Sequence, residues 1–183
     1  LNTQVPEAAT DLVFDRFTND ATSSPLMSWV ASPTPGVEYR ISLGTTSGGS
    51  DILVEQSAGG NTSYAVTSGI TLSECTPVFP TLHTYSAAGL KAPDVVSPNS
   101  FYYDNAGPSV PGSLAFTDFY IAGVGPTLSW TASTDNCSAS PVYKVALGTA
   151  ADDDSLVAWT DVTTLSHSFD GLSLTVGDTV YMS

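Results

Sequence analysis

The chain has 183 residues, 18 of them acidic and 4 basic, for a formal net charge of −14. Its charged fraction of 12% compares with about 25% in an average domain. Hydrophobic residues reach 42%, which supports a buried core and argues against wholesale disorder. Four basic side chains neutralise too few phosphates for nucleic-acid binding and hold too little charge for an anionic membrane face. No apolar run approaches the ~18 residues of a membrane span. No charged start followed by an apolar stretch is present, so a signal peptide has been removed or lies outside this chain.

Taken in order, the chain reads as short strands parted by turn residues. Strand A is predicted near residues 11–17 and B near 25–31, where Trp29 and Ala31 alternate with Ser28, Val30 and Ser32 as in a half-buried strand. C follows near 37–43, C′ near 51–56, E near 62–68, F near 78–86 and G near 92–97. Pro33-Thr34-Pro35-Gly36, Ser47-Gly48-Gly49-Ser50 and Ala58-Gly59-Gly60-Asn61 break the runs. A second series places A near 113–119, B near 126–132, C near 142–148, C′ near 155–160, E near 165–169 and F from about 178. In its strand C, Tyr143, Val145 and Leu147 face inward and Lys144 outward. No stretch sustains a helical period, and β-branched residues with Ser and Thr dominate.

The second series repeats the first. Pro25-Leu26-Met27-Ser28-Trp29-Val30-Ala31-Ser32 matches Pro126-Thr127-Leu128-Ser129-Trp130-Thr131-Ala132-Ser133. Tyr39-Arg40-Ile41-Ser42-Leu43-Gly44-Thr45 matches Tyr143-Lys144-Val145-Ala146-Leu147-Gly148-Thr149, and Gly69-Ile70-Thr71-Leu72 matches Gly171-Leu172-Ser173-Leu174. Three blocks in one order, offset by about 100 residues, indicate two copies of a module of ordinary domain size. Trp29 and Trp130 are core positions by this logic. The predicted division is a first domain over 1–100, a linker over 101–111 and a second domain over 112–183.

A Trp in strand B, an aromatic in strand C and a Gly-x-x-Leu turn before strand F resemble fibronectin type III modules. The copies are similar to the tandem repeats of large bacterial surface, fibre and adhesin proteins, in which the Leu-Gly-Thr step recurs. The linker form Phe-x-x-Asp-x-x-x-Pro-x-x-Pro also recurs there, and here it runs from Phe101 through Asp104 and Pro108 to Pro111. The resemblance implies an all-β chain of two tandem Ig-like/fibronectin type III β-sandwiches. The sequence departs from it at Val78 and Val180, where a Tyr is usual, and Phe79 and Tyr181 follow one step later. The chain also stops at Ser183, so the second copy is expected to lack its last strand. Either the chain is a shortened segment, or a strand donated by another segment or chain completes the open edge.

In such a sandwich the E–F loop of one copy faces the B–C loop of the next. Cys75 falls in the first and Cys137 in the second, although neither has a counterpart in the other repeat. The resemblance therefore implies a disulfide between them, with two free thiols as the alternative. The same junction collects oxygen donors, Glu74, Asp104, Asn105, Asp135 and Asn136, as candidate Ca2+ ligands or as solvated turn residues. Asp152-Asp153-Asp154 is a further cation candidate or a hydrated turn. Tyr102, Tyr103, Phe119 and Tyr120 are candidates for sugar stacking or for a module interface.

No catalytic signature stands out. His83 and His167 lie in different modules, outside any metal-ligand spacing, and no Gly-x-Ser-x-Gly elbow is present. With Ser so abundant, composition alone permits a Ser-His-Asp set, but spacing assigns none. The expectation is a non-enzymatic, secreted or cell-surface pair of adhesion, binding or spacer modules, recognising a cell-surface glycan or protein. The alternative is an accessory carbohydrate-binding or spacer segment of a secreted polysaccharide-degrading enzyme. No organic cofactor, nucleic acid or membrane insertion is expected.

Overall fold

The computed structural model describes residues 4–116, 125–137, 141–175 and 177–183. The chain divides into two compact units, Leu1–Asn105 and Ala106–Ser183. All regular elements among the described residues are β-strands.

The first unit contains β1 (Thr10–Phe14), β2 (Phe17–Thr18), β3 (Met27–Val30), β4 (Glu38–Gly44), β5 (Leu53–Gly59), β6 (Ser63–Tyr64), β7 (Phe79–Tyr85), β8 (Val95–Val96) and β9 (Tyr102–Tyr103). They form an antiparallel sheet in the order β1-β3-β6 and a second in the order β5-β4-β7-β8. A short parallel pair joins β2 to β9, with Phe17 opposite Tyr102 and Thr18 opposite Tyr103. Alternation sends Met27 and Trp29, then Tyr39, Ile41 and Leu43, then Leu82 into one core. Phe101, fully buried, belongs to that core, and Tyr103 packs against it. The beginning of the 101–111 segment is thus built into the first unit. The Phe101 ring meets Phe14 edge-on at 6.1 Å. Burying a side chain of this size contributes about 1.5–3 kcal/mol.

The second unit contains β10 (Gly112–Phe116), β11 (Thr127–Thr131), β12 (Tyr143–Gly148), β13 (Val157–Val162), β14 (Ser166–Ser168) and β15 (Tyr181–Met182). Its sheets run β10-β11-β14 and β13-β12-β15, the strand order of β1-β3-β6 and β5-β4-β7. Leu128, Trp130, Tyr143, Val145, Leu147 and Phe169 form its core. As expected, Lys144 points outward while Tyr143, Val145 and Leu147 are buried.

Details repeat as well. Register breaks between Thr10 and Val13 and between Gly112 and Ala115, each beside a residue with positive φ, Asp11 (55°) or Ser113 (51°). These bulges add twist to the first strand of each unit. Trp29 meets Tyr39 edge-on at 5.5 Å, and Trp130 meets Tyr143 at 5.3 Å. Each tyrosine hydroxyl accepts a backbone hydrogen bond, from Ser32 N (2.8 Å) and from Ser133 N (2.9 Å). The strand-C tyrosine therefore anchors a loop in both units, while Val78 is simply core.

The Leu-Gly-Thr step has a steric cause. A Cβ on Gly44 would lie 2.4 Å from the Gly49 carbonyl carbon, and one on Gly148 would lie 2.2 Å from Asp153 O. The loop that presses on each glycine is closed by a carboxylate. Asp51 accepts from Thr45 N (2.9 Å) and Thr45 Oγ1 (2.8 Å), and Asp153 accepts from Thr149 N (2.8 Å) and Ser155 Oγ (2.5 Å). Hydrogen bonds from Ser155 and the Thr149 amide lower the Asp153 pKa to about 2.

Candidate functional site

Two arrangements in the first unit carry chemistry. One covers the outward face of the β5-β4-β7-β8 sheet. Strand parity puts Arg40 and Ser42 of β4 on that face, together with Thr81, His83 and Tyr85 of β7. Ser42 Oγ lies 2.8 Å from His83 Nε2, and His83 Nδ1 lies 2.6 Å from Asp94 Oδ1. This is the connectivity of a nucleophilic triad. Sequence spacing had assigned no such set, because Ser42, His83 and Asp94 lie on different strands and turns.

The triad is sealed. Ser42 is 2% exposed and His83 5%. Ser42 Oγ also accepts the Glu55 amide hydrogen bond (3.0 Å) at the bulge where Glu55 takes a φ of 34°. A nucleophilic oxygen needs open space about 3 Å away for the atom it attacks, and here protein atoms fill that role. With His83 neutral, Nδ1–H donates to Asp94, Nε2 accepts from Ser42, and Ser42 accepts from Glu55 N. Ser42, His83 and Asp94 then each have a partner, as burial demands, whereas the buried Thr81 Oγ1 on the same face has none among the described residues.

Charged side chains lie over this row. Arg40 Nε reaches Glu38 Oε1 at 3.0 Å, and Lys91 Nζ reaches Asp94 Oδ1 at 2.9 Å and Glu55 Oε1 at 3.4 Å. Tyr85 donates to Glu55 Oε2 at 2.8 Å, beneath the Arg40 guanidinium at 4.8 Å from its ring centre. Burial pushes the Asp94 and Glu55 carboxyls up, but hydrogen bonds from His83 and Lys91 to Asp94, and from Tyr85 and Lys91 to Glu55, outweigh it and leave both lowered. Burial and the neighbouring Glu55 raise the Tyr85 phenol. The cluster is a polar cover that packs and ties one sheet face.

The second arrangement is open. A cleft of about 530 Å3 is lined by Phe14, Arg16, Phe79, Pro98, Asn99, Ser100 and Tyr102. The β2–β9 pairing builds it. Tyr102 N donates to Arg16 O (2.9 Å), which fixes the turn after β1 against β9. The Phe17 and Tyr102 rings lie 6.0 Å apart, and the Arg16 guanidinium sits 5.4 Å from the first and 5.7 Å from the second. Aromatic faces, a cation and hydrogen-bonding groups in one concavity of this size are the ordinary makings of a small-ligand site.

Of the candidate aromatic ligand residues, Tyr102 lines this cleft, while Tyr103 packs on the core. Phe119 and Tyr120 lie outside the described residues. Sequence reasoning missed Phe14, Arg16 and Phe79. The signal available was a lone Arg between two aromatic strand ends, which has no meaning until residue 102 is known to pair with residue 17.

Among the candidate cation ligands of the first unit, Glu74 bridges Tyr103, Asp104 N donates to Thr18 O (2.9 Å), and Asn105 is exposed. In the second unit Asp135 Oδ1 accepts from Cys137 N (2.9 Å), closing an Asx turn over Asn136. The Asp152–Asp154 run is a turn closed by Asp153. Neither Cys75 nor Cys137 is a free thiol, and as the only two cysteines they form one disulfide.

Two units with one strand order, each built of antiparallel sheets around a Trp–Tyr core, define fibronectin type III-like, Ig-like β-sandwiches. The crystal structure of chicken CNTN1 FN1-FN3 domains is similar in fold, with a TM-score of 0.61 and 12% sequence identity over 92% of this chain and 57% of that one. This chain therefore spans just over half of that neighbour's length. No protein-family model and no curated protein matches the sequence. Among the described residues no helix is long and apolar enough to cross a membrane.

Proposed function

We propose that this chain is a non-enzymatic extracellular binding segment whose first unit holds a saccharide in the Phe14–Tyr102 cleft. The cleft carries this reading. Aromatic walls suit the C–H faces of a pyranose ring, and Asn99 and Ser100 offer groups for its hydroxyls. A disulfide persists in oxidising compartments, which supports a place outside the cytosol. A non-catalytic role is supported by the sealed Ser42, which leaves the Ser42–His83–Asp94 row a structural part. The parent protein is a bacterial surface, fibre or adhesin protein. The alternative parent, a secreted polysaccharide-degrading enzyme with accessory modules, is served by the same cleft.

The test is saturation-transfer NMR of the chain with a panel of neutral and acidic oligosaccharides. Transfer to at least one sugar, lost in Tyr102→Ala, is the expected result. No transfer to any member overturns the saccharide reading. A chromogenic ester turned over by the wild type but not by Ser42→Ala overturns the non-enzymatic one.

A further inference from the structure

The cleft has a charge that the rest of the molecule leaves unspent. Three of the four basic side chains are ion-paired: Arg40 with Glu38, Lys91 with Asp94, and Lys144 with Asp161. Arg16 is the fourth, and among the described residues it makes no ion pair. In a chain of net charge −14, acidic partners are plentiful, so an unneutralised guanidinium facing a cleft is a notable placement.

Its surroundings also orient it. Two rings, Phe17 and Tyr102, lie beside the guanidinium carbon at 5.4 and 5.7 Å. Such contacts hold the cation through ring faces and consume none of its five N–H donors. Those donors form a planar fork that matches the two oxygens of a carboxylate, and a compact ammonium does not reproduce this match. Beside the fork, Phe14 and Phe79 provide apolar wall. Asn99 is fixed at its backbone, where its N–H donates to Ser97 Oγ at 3.1 Å, and its side-chain amide makes no hydrogen bond among the described residues.

We infer that the cleft is specific for a carboxylated saccharide, a hexuronate-type sugar whose carboxylate is held by Arg16 while its ring lies against Phe14, Phe79 and Tyr102. This rests on the saccharide reading of the cleft and adds the ligand's charge to it. A neutral sugar would leave the guanidinium partly desolvated without an anion, so the acid form is preferred. The global negative charge repels anions elsewhere on the surface, which favours uptake at Arg16, the one basic side chain without an ion pair among the described residues.

The experiment is calorimetric titration of the 183-residue chain with an oligogalacturonate tetrasaccharide and with its fully methyl-esterified form. The acid is expected to bind at least tenfold more tightly than the ester. Arg16→Gln is expected to erase that preference and keep the weaker binding common to both, and Arg16→Lys to recover only part of it. Arg16 is exposed, and a circular dichroism melt of each variant checks that the fold is kept. Equal binding of acid and ester by the wild type, or an unchanged preference in Arg16→Gln, overturns the carboxylate assignment while leaving a saccharide cleft in place. Binding of neither probe, with no transfer to any sugar of the wider panel, overturns both.

Discussion

The outward face of strand β4 and that of its counterpart β12 differ in kind. Arg40 and Ser42 on the first become Lys144 and Ala146 on the second. By register, Leu43 opposite Leu53 corresponds to Leu147 opposite Val157, so Glu55 of β5 corresponds to Trp159 of β13. The first unit lays a connected set of ion pairs and hydrogen bonds over its sheet. The second has one exposed Lys144–Asp161 pair at 3.1 Å and leaves Trp159 43% exposed. Both nevertheless keep the same strand order, Trp–Tyr pair, bulge and clasped glycine turn. The shared features set the sandwich, and the polar cover is an addition specific to the first unit.

The widest test of the shared frame is removal of its centre. Trp29→Ala and Trp130→Ala should each cost about 3–5 kcal/mol in their own unit, measured by urea unfolding. A loss in one unit only would break the equivalence of the two cores. Next comes the disulfide. It closes a loop of about 60 residues, so Cys75→Ser with Cys137→Ser should lower the free energy of unfolding by about 4 kcal/mol in the chain-entropy picture. Denaturant curves with and without reductant check it, and coincident curves would remove the effect. The glycine steps follow. Gly44→Ala and Gly148→Ala each force a methyl group against backbone, and an overpacking loss of about 1–3 kcal/mol is expected in both.

Much of this frame was legible because it is local or repeated. Period-2 alternation marked strands B and C, and the duplicated Trp and Leu-Gly-Thr blocks fixed the module. The polar cover was not legible for the opposite reason. Parity places Ser42 and His83 on one outward face, yet it cannot show that Glu55, Tyr85, Lys91 and Asp94 close over them. A serine and a histidine on an outward face read as exposed until those longer side chains are in position. The cleft was half legible. Tyr102 was singled out as an aromatic beside polar residues, but Arg16 joins it through a two-residue parallel pairing that no periodicity signals.

The cover itself is tested by smaller changes. His83→Ala leaves Ser42 Oγ and the Asp94 carboxylate without their shared partner, with an expected loss of about 1–3 kcal/mol. Ser42→Ala imitates the second unit, where Ala146 is fully buried, and should cost less. The double variant should be less destabilised than the sum of the two, because the residues act as one row. A coupling energy within about 0.5 kcal/mol of zero would show them to be independent.

The least of these effects is read in acid. In the folded first unit Asp94, Glu55 and Glu38 hold their protons more weakly than in the unfolded chain. An unfolded Asp titrates near pH 3.9 and a Glu near about 4.3, so their contribution is fully present above those values. As pH falls further the unfolded chain takes up protons first, and the contribution is lost as each folded carboxyl is protonated in turn. Asp94→Asn removes one such group. It should be less stable than wild type at pH 7, and the gap should narrow as pH falls below about 4. In the second unit, Asp153, near 2, and Asp178, lowered chiefly by the Thr175 amide and hydroxyl, lose their contributions in the same acid range. Asp153→Asn should therefore show the same narrowing there. Unfolding free energies at pH 7, 4 and 3 decide both, and a pH-independent gap for Asp94→Asn would show that the His83–Asp94–Lys91 contacts do not stabilise the carboxylate.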